Sequence, residues 1–143
     1  MEEHLLLHFI FGRDSGKMSR IYQSKVEKRQ KEWDGIVPFY YPEKALHGIT
    51  KLLIVGQKDL AERLELRVFI FEPGSKSDIS KHPKENIFFI LEGRALLQIN
   101  NDKFELKPYD VAFVSKDDLI QISAIGDETL KFIDVTEISS AFS

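Results

Sequence analysis

From Ile36 to the end, the chain is a succession of short β-type runs cut by Gly, Pro, Asn and Asp at intervals of roughly 8–12 residues, with no helical period between them. That pattern predicts strands at Ile49–Val55, Leu64–Phe71, Ile79–Lys81, Asn86–Leu91, Ala95–Ile99, Lys103–Leu106, Val111–Val114, Leu119–Ala124 and Leu130–Val135. In the second of these, Leu64, Leu66, Val68 and Ile70 alternate with Glu65, Arg67, Phe69 and Phe71, so one face is wholly apolar. Asn100-Asn101-Asp102 reads as a tight hairpin turn, because Asn and Asp tolerate positive φ. Many short strands without crossover helices imply an all-β fold, an antiparallel sandwich or barrel.

The residues ahead of the strands read differently. Leu5 to Phe11 is a candidate strand, Gly12 to Lys17 a turn cluster, and Ser19 to Trp33 a short surface helix ending before Gly35, with Ile21, Tyr22, Val26 and Trp33 among charged residues. Met18 is a second candidate start. The division is therefore an extension over residues 1–35 and a barrel over 36–143. An exposed edge on the first strand needs a partner, so a homodimer with the extension packed on the second subunit is expected.

At 143 residues the chain has the length of one domain, and 43% apolar residues exclude disorder as its main state. The longest apolar stretch, Leu5 to Phe11, is interrupted by His8 and is far too short to span a bilayer. A net charge of −3 disfavours nucleic acid as a partner. The absence of cysteine removes disulfides, thiolate chemistry and Cys-ligated metal. Met1-Glu2-Glu3-His4 is acidic where a secretory signal is positive, so a cytoplasmic protein without membrane association is expected. No phosphate loop, nucleophile elbow or HExxH occurs.

A spacing does stand out after Pro73. Gly74-x5-Ser80-x-His82-x3-Asn86-x6-Gly93 keeps every interval of the first cupin motif, G-x5-H-x-H-x3,4-E-x6-G, and Leu91-Glu92-Gly93 is similar to its closing turn. The second motif, G-x5-P-x-G-x2-H-x3-N, lays onto Tyr109, Ser115, Asp117, Ile120 and Ala124 with the same spacing but none of its named residues; only Asp110, a frequent neighbour of the family's glycine, persists. Over roughly residues 64 to 135 the chain resembles the small single-domain cupins. The resemblance implies a double-stranded β-helix, the jelly-roll barrel. Gly74 and Gly93 also suit turns whose φ only glycine adopts cheaply.

In the family, three His and one Glu hold a divalent metal inside the barrel. Here those places are Ser80, His82, Asn86 and Ile120, which offer one imidazole and three uncharged groups. Neither the charge nor the donor count suits Zn, Mn or Fe, so no metal or other cofactor is expected. A one-residue slip that brought Glu85 inward would oppose the alternation.

Two readings of His82 stand: an inert hydrogen-bonded histidine, or a pocket donor or general base oriented by Tyr109, Glu85 or Asp110. Ser80, His82 and Asn86, with Phe88, Ile90, Ile120 and Ile122 by alternation, form either a wall around a neutral organic ligand or a barrel packed shut. His4 with His8, His47-Gly48 and Phe39-Tyr40-Tyr41-Pro42 are weaker signals, the last more suited to packing across a barrel mouth. The favoured function is metal-free binding of a small organic molecule, as a sensor or accessory subunit. A metal-independent isomerase or epimerase of a sugar-like substrate, with His82 as base, comes second. A metal-dependent dioxygenase, decarboxylase or isomerase comes third.

Overall fold

Where apolar residues alternate, the chain is extended, and the nine runs after Ile36 are all strands with bounds within two residues of the expected ones. The computed structural model describes residues 9–11, 18–23, 33 and 35–138. Along the chain, the strands are β1 (Phe9–Phe11), β2 (Met18–Arg20), β3 (Phe39–Tyr40), β4 (Ile49–Val55), β5 (Leu64–Phe71) and β6 (Ser80–Lys81). They continue with β7 (Asn86–Glu92), β8 (Arg94–Ile99), β9 (Asp102–Leu106), β10 (Val111–Val114), β11 (Leu119–Ile125) and β12 (Leu130–Glu137).

Six strands form one antiparallel sheet in the order β10-β7-β12-β5-β4-β3, and four form a second, β6-β11-β8-β9. Sequence-distant neighbours such as β5 and β12 make this a jelly roll, as expected. Between β7 and β8, Gly93 has φ +76°, and a Cβ there would lie 2.3 Å from the Thr129 carbonyl oxygen, so only glycine fits. Asn100, at φ 53°, turns the β8–β9 hairpin, with Ile99 opposite Asp102.

Two apolar clusters hold the sheets. The inner one joins Phe71, Phe88, Ile90, Leu130 and Phe132 of the larger sheet to Ala95, Leu97, Ile120, Ile122 and Ala124 of the smaller. Each buried Leu, Ile or Phe side chain among them contributes roughly 1.5–3 kcal/mol. The outer one buries Ile36, Leu52, Ile54 and Val68, with Tyr22, Trp33, Leu66, Ile70 and Ile133 packed against them. The apolar face of β5 is thus the outside of the barrel wall, and Arg67, Phe69 and Phe71 look inward.

The described part of the extension departs from the helix expected over Ser19–Trp33. Ser19 and Arg20 belong to β2, opposite Ile10 and Phe9 of β1, and Ile21 to Gln23 have no regular structure. The cause lies far along the chain: Arg20 Nη1 meets Asp59 Oδ1 at 3.2 Å, and the Tyr22 hydroxyl donates to the same oxygen. Tyr22 and Trp33 pack on their own sheet. Residues 24–32, the turn cluster Gly12–Lys17, Leu5 to His8 and His4 lie outside the described residues. Among the described residues, no helix is long and apolar enough to cross a membrane.

Candidate functional site

The inward faces of the two sheets do not close completely on each other. They leave a cavity of about 250 Å³. Phe69, Phe71, Phe88 and Phe132 wall it on the larger sheet, and Ile120 and Ile122 on the smaller. Polar groups enter from Tyr41, Arg67, Ser80, His82 and Asp134, with Ser77 and Asp78 in the segment before β6. Ser80 and His82, named from the motif spacing, and Phe88, Ile120 and Ile122, named from alternation, therefore meet at one cavity. Ile90 is fully buried in the core and Asn86 stands behind the wall.

Asn86 is 1% exposed and donates from Nδ2 to Asp134 Oδ1 at 2.9 Å. Its own Oδ1 has no hydrogen-bond partner among the described residues. Asp134 takes a second bond from Arg67 Nη2, the two residues being directly opposite each other on β12 and β5. Arg67 Nε lies 3.5 Å from Glu65 Oε2, and its guanidinium sits 5.2 Å from the Phe69 ring centre. Arg67, the one Lys or Arg lining the cavity among the described residues, is thus flanked by two carboxylates.

This environment sets the protonation of its neighbours. Burial lowers the His82 pKa below its ordinary 6.5, Arg67 pushes in the same direction and Asp134 opposes both. Burial raises the Tyr41 pKa above 10.0, against the pull of Arg67 and with the help of Glu43 and Asp134. At neutral pH the cavity therefore presents an unprotonated imidazole and an intact phenol.

The orienting groups considered for His82 are elsewhere. Tyr109 is exposed and set edge-on to Phe89, Asp110 accepts from the Lys107 backbone nitrogen at 2.9 Å, and the Glu85 side chain faces solvent. His47 is engaged outside the cavity, 3.2 Å from the Pro42 carbonyl oxygen.

Residues 67–136 match the cupin domain family Cupin_2. A cupin-2 domain protein of Rhodospirillum rubrum superposes with a TM-score of 0.69 at 25% identity, covering 84% of this chain and 78% of that one. The chain belongs to the cupin superfamily. A cupin 2 conserved barrel domain protein of Rhodopseudomonas palustris gives a TM-score of 0.71 at 19% identity, covering 83% and 81% of the two chains. The polyketide cyclase RemF of Streptomyces resistomycificus gives 0.67 at 19%, covering 73% and 75%, a likeness of fold. In sequence, 61 residues are 39% identical to an uncharacterized protein of Methanocaldococcus jannaschii, 42% of this chain and about half, 49%, of that relative.

A cupin fold implies a metal, and the residues present do not fit one. Of the four ligand places, Ile120 has no donor atom, Asn86 is tied to Asp134, and Ser80 offers a neutral hydroxyl beside His82. The Asp134 carboxylate at the cavity is already engaged by the Arg67 guanidinium and the Asn86 amide, so it is not a free ligand for a cation. Among the described residues, no three His, Cys, Asp or Glu side chains converge.

Sequence reasoning missed Arg67, Asp134 and Tyr41. A signal existed for the first two: Asp134 is the lone charge on the inward parity of β12, between Ile133 and Val135, and Arg67, between Leu66 and Val68, shares the inward parity of β5 with Glu65. Tyr41 lay within the Phe39–Pro42 aromatic run, where Tyr40 turns to solvent and Phe39 packs edge-on to Tyr41 at 5.0 Å.

Proposed function

We propose that this cupin is a metal-free binding module for a small organic molecule, in a sensor or accessory role. The observation that carries the reading is an open cavity beside a buried polar network, Arg67–Asp134–Asn86, set among the family's metal-ligand places. Its volume lies just under the roughly 300–1,000 Å³ usual for ligand pockets, which suits a molecule about the size of a single ring. Aromatic and aliphatic walls take the body of such a molecule. The Ser80 hydroxyl, neutral His82 and Tyr41 phenol take its polar end. Because Asp134 and Glu65 already balance Arg67, a neutral ligand is favoured over an anion.

The test is a thermal-shift screen of neutral single-ring compounds, with EDTA and with added Mn, Fe, Ni or Zn. A ligand that binds only the folded protein raises the melting temperature. The reading expects such a ligand to act equally in EDTA and to lose its effect in His82→Ala. A stoichiometric metal in the purified protein that disappears in His82→Ala overturns it and restores the metal-dependent enzyme.

The pairing of an unprotonated His82 with a protonated Tyr41 favours one second reading, metal-independent isomerisation or epimerisation of a sugar-like substrate with His82 as base. Deuterium uptake from D2O into the C–H positions of molecules found by the screen, lost in His82→Gln, distinguishes it from binding alone.

A further inference from the structure

The polar side chains around the cavity differ in what they already hold. Arg67, Asp134 and Asn86 are bonded to one another. Tyr41, Ser80 and His82 make no side-chain hydrogen bond among the described residues, and their polar atoms are not sealed off, so each is open to a guest. Their capacities are mixed. A neutral imidazole has one ring nitrogen that accepts and one that donates, while the Tyr41 phenol and the Ser80 hydroxyl each do both.

The phenylalanines of the larger sheet are the second feature, and Phe132 is their hub. Phe69 lies nearly parallel to it, with 5.4 Å between ring centres and 22° between planes. Phe71 is tilted to it by 55°, and Phe88 stands edge-on at 75°. This wall therefore offers ring faces and ring edges together, while the smaller sheet offers the aliphatic Ile120 and Ile122.

We infer that the ligand of this cavity is a phenol, a flat aromatic ring carrying a hydroxyl group. The inference rests on the binding-module reading and names the chemical class for it. Ring edges are positive and ring faces negative, so an aromatic guest gains from both kinds of contact on this wall, whereas a saturated ring gains only buried area. The hydroxyl matches the polar end, because it donates to the acceptor nitrogen of His82 and accepts from Tyr41 or Ser80. A carbonyl or ether oxygen only accepts, and it leaves that nitrogen unanswered. A ring hydroxylated on both faces sets polar groups against Ile120, Ile122 and the phenyl wall, where nothing bonds to them. Charge agrees as well. The burial that holds the Tyr41 phenol above its ordinary pKa acts equally on a guest phenol, which stays neutral and adds no charge beside the balanced Arg67.

Three probes of similar size test the inference. They are phenol, cyclohexanol, which keeps the hydroxyl without the aromatic ring, and anisole, which keeps the ring without the donor. Each is titrated into the full chain at neutral pH and followed by NMR on the methyl groups of Ile120 and Ile122, which line the cavity. Phenol should bind at least about threefold more tightly than cyclohexanol, the advantage of an aromatic pair over area alone. It should bind about tenfold more tightly than anisole, the effect of leaving a buried acceptor unanswered. Phe69→Leu keeps the wall apolar and should narrow the first ratio, and His82→Ala should narrow the second. Both ratios are measured on the unaltered protein first, so they stand whether or not a variant folds. Equal binding of phenol and cyclohexanol, or of phenol and anisole, overturns the inference and leaves the binding-module reading standing. It is overturned too if none of the three moves those methyl groups, and the wider screen of neutral rings then decides the binding-module reading separately.

Discussion

Consecutive residues of β5 face two different environments. Leu66, Val68 and Ile70 point out of the barrel into a purely apolar cluster, whereas Arg67, between the first two, points inward to an ion pair, a buried amide and a cavity. A soluble barrel is usually imagined the other way round, greasy within and polar without. The difference teaches that the outer face of β5 is given to packing, while the inner face near the cavity carries the charges and their partners. An outer face can be apolar only if something covers it, and an inner face can be charged only if every charge is answered.

The comparison breaks most visibly at Asp134. Replacing it with Ala leaves the part-buried Arg67 with Glu65 as its remaining carboxylate and Asn86 Nδ2 without an acceptor, and the expected loss is about 3 kcal/mol in urea unfolding. Replacing both members of the pair, Arg67→Met with Asp134→Leu, should recover most of that loss. A buried pair is often no better for stability than apolar residues of similar volume. If the double variant is as unstable as the single, the network holds the barrel together rather than shaping its cavity.

On the outer face the matching change is Leu52→Ala. Leu52 is 1% exposed, so its truncation should cost about 3 kcal/mol, as in a true core. A loss below about 0.5 kcal/mol, typical of surface substitutions, would mean that the cover over β4 and β5 does not hold in solution.

These residues also show what could be read before the structure. Strand positions were legible because alternation and turn residues are local; the same period brought Phe88, Ile120 and Ile122 to the cavity, and the motif spacing brought Ser80 and His82. Alternation gives two faces and does not name the inner one. The apolar face of β5 carried no sign that it lies outside, and Arg67 meets Asp134 only through a register between residues 67 positions apart. The stretch from Ser19 had helical spacing, yet Arg20, at the end of β2, and Tyr22, beyond it, are both held by Asp59, 39 and 37 positions on. Long-range partners of this kind leave no trace in a local period.

The smallest expected effect sharpens the inner side of the comparison through pH. His82 is held below its ordinary pKa of 6.5 by burial first and Arg67 second, with Asp134 opposing. As pH falls through 6.5, the unfolded chain takes up a proton that the folded protein still refuses. The unfolded state then binds more protons, so stability falls with falling pH. The contribution is fully present above 6.5 and is lost from there down to the folded value. In His82→Gln the urea midpoint should be flatter between pH 7 and 5 than in the unaltered protein. In Arg67→Met the imidazole, followed by NMR titration, should move up toward 6.5, because the charged group that disfavours its protonated form is gone and burial alone remains. An outer-face substitution such as Val68→Ala removes packing without touching that electrostatic balance and should leave the titration where it was. A shift of the imidazole in Val68→Ala as large as that in Arg67→Met would mean that the two faces of β5 are not independent.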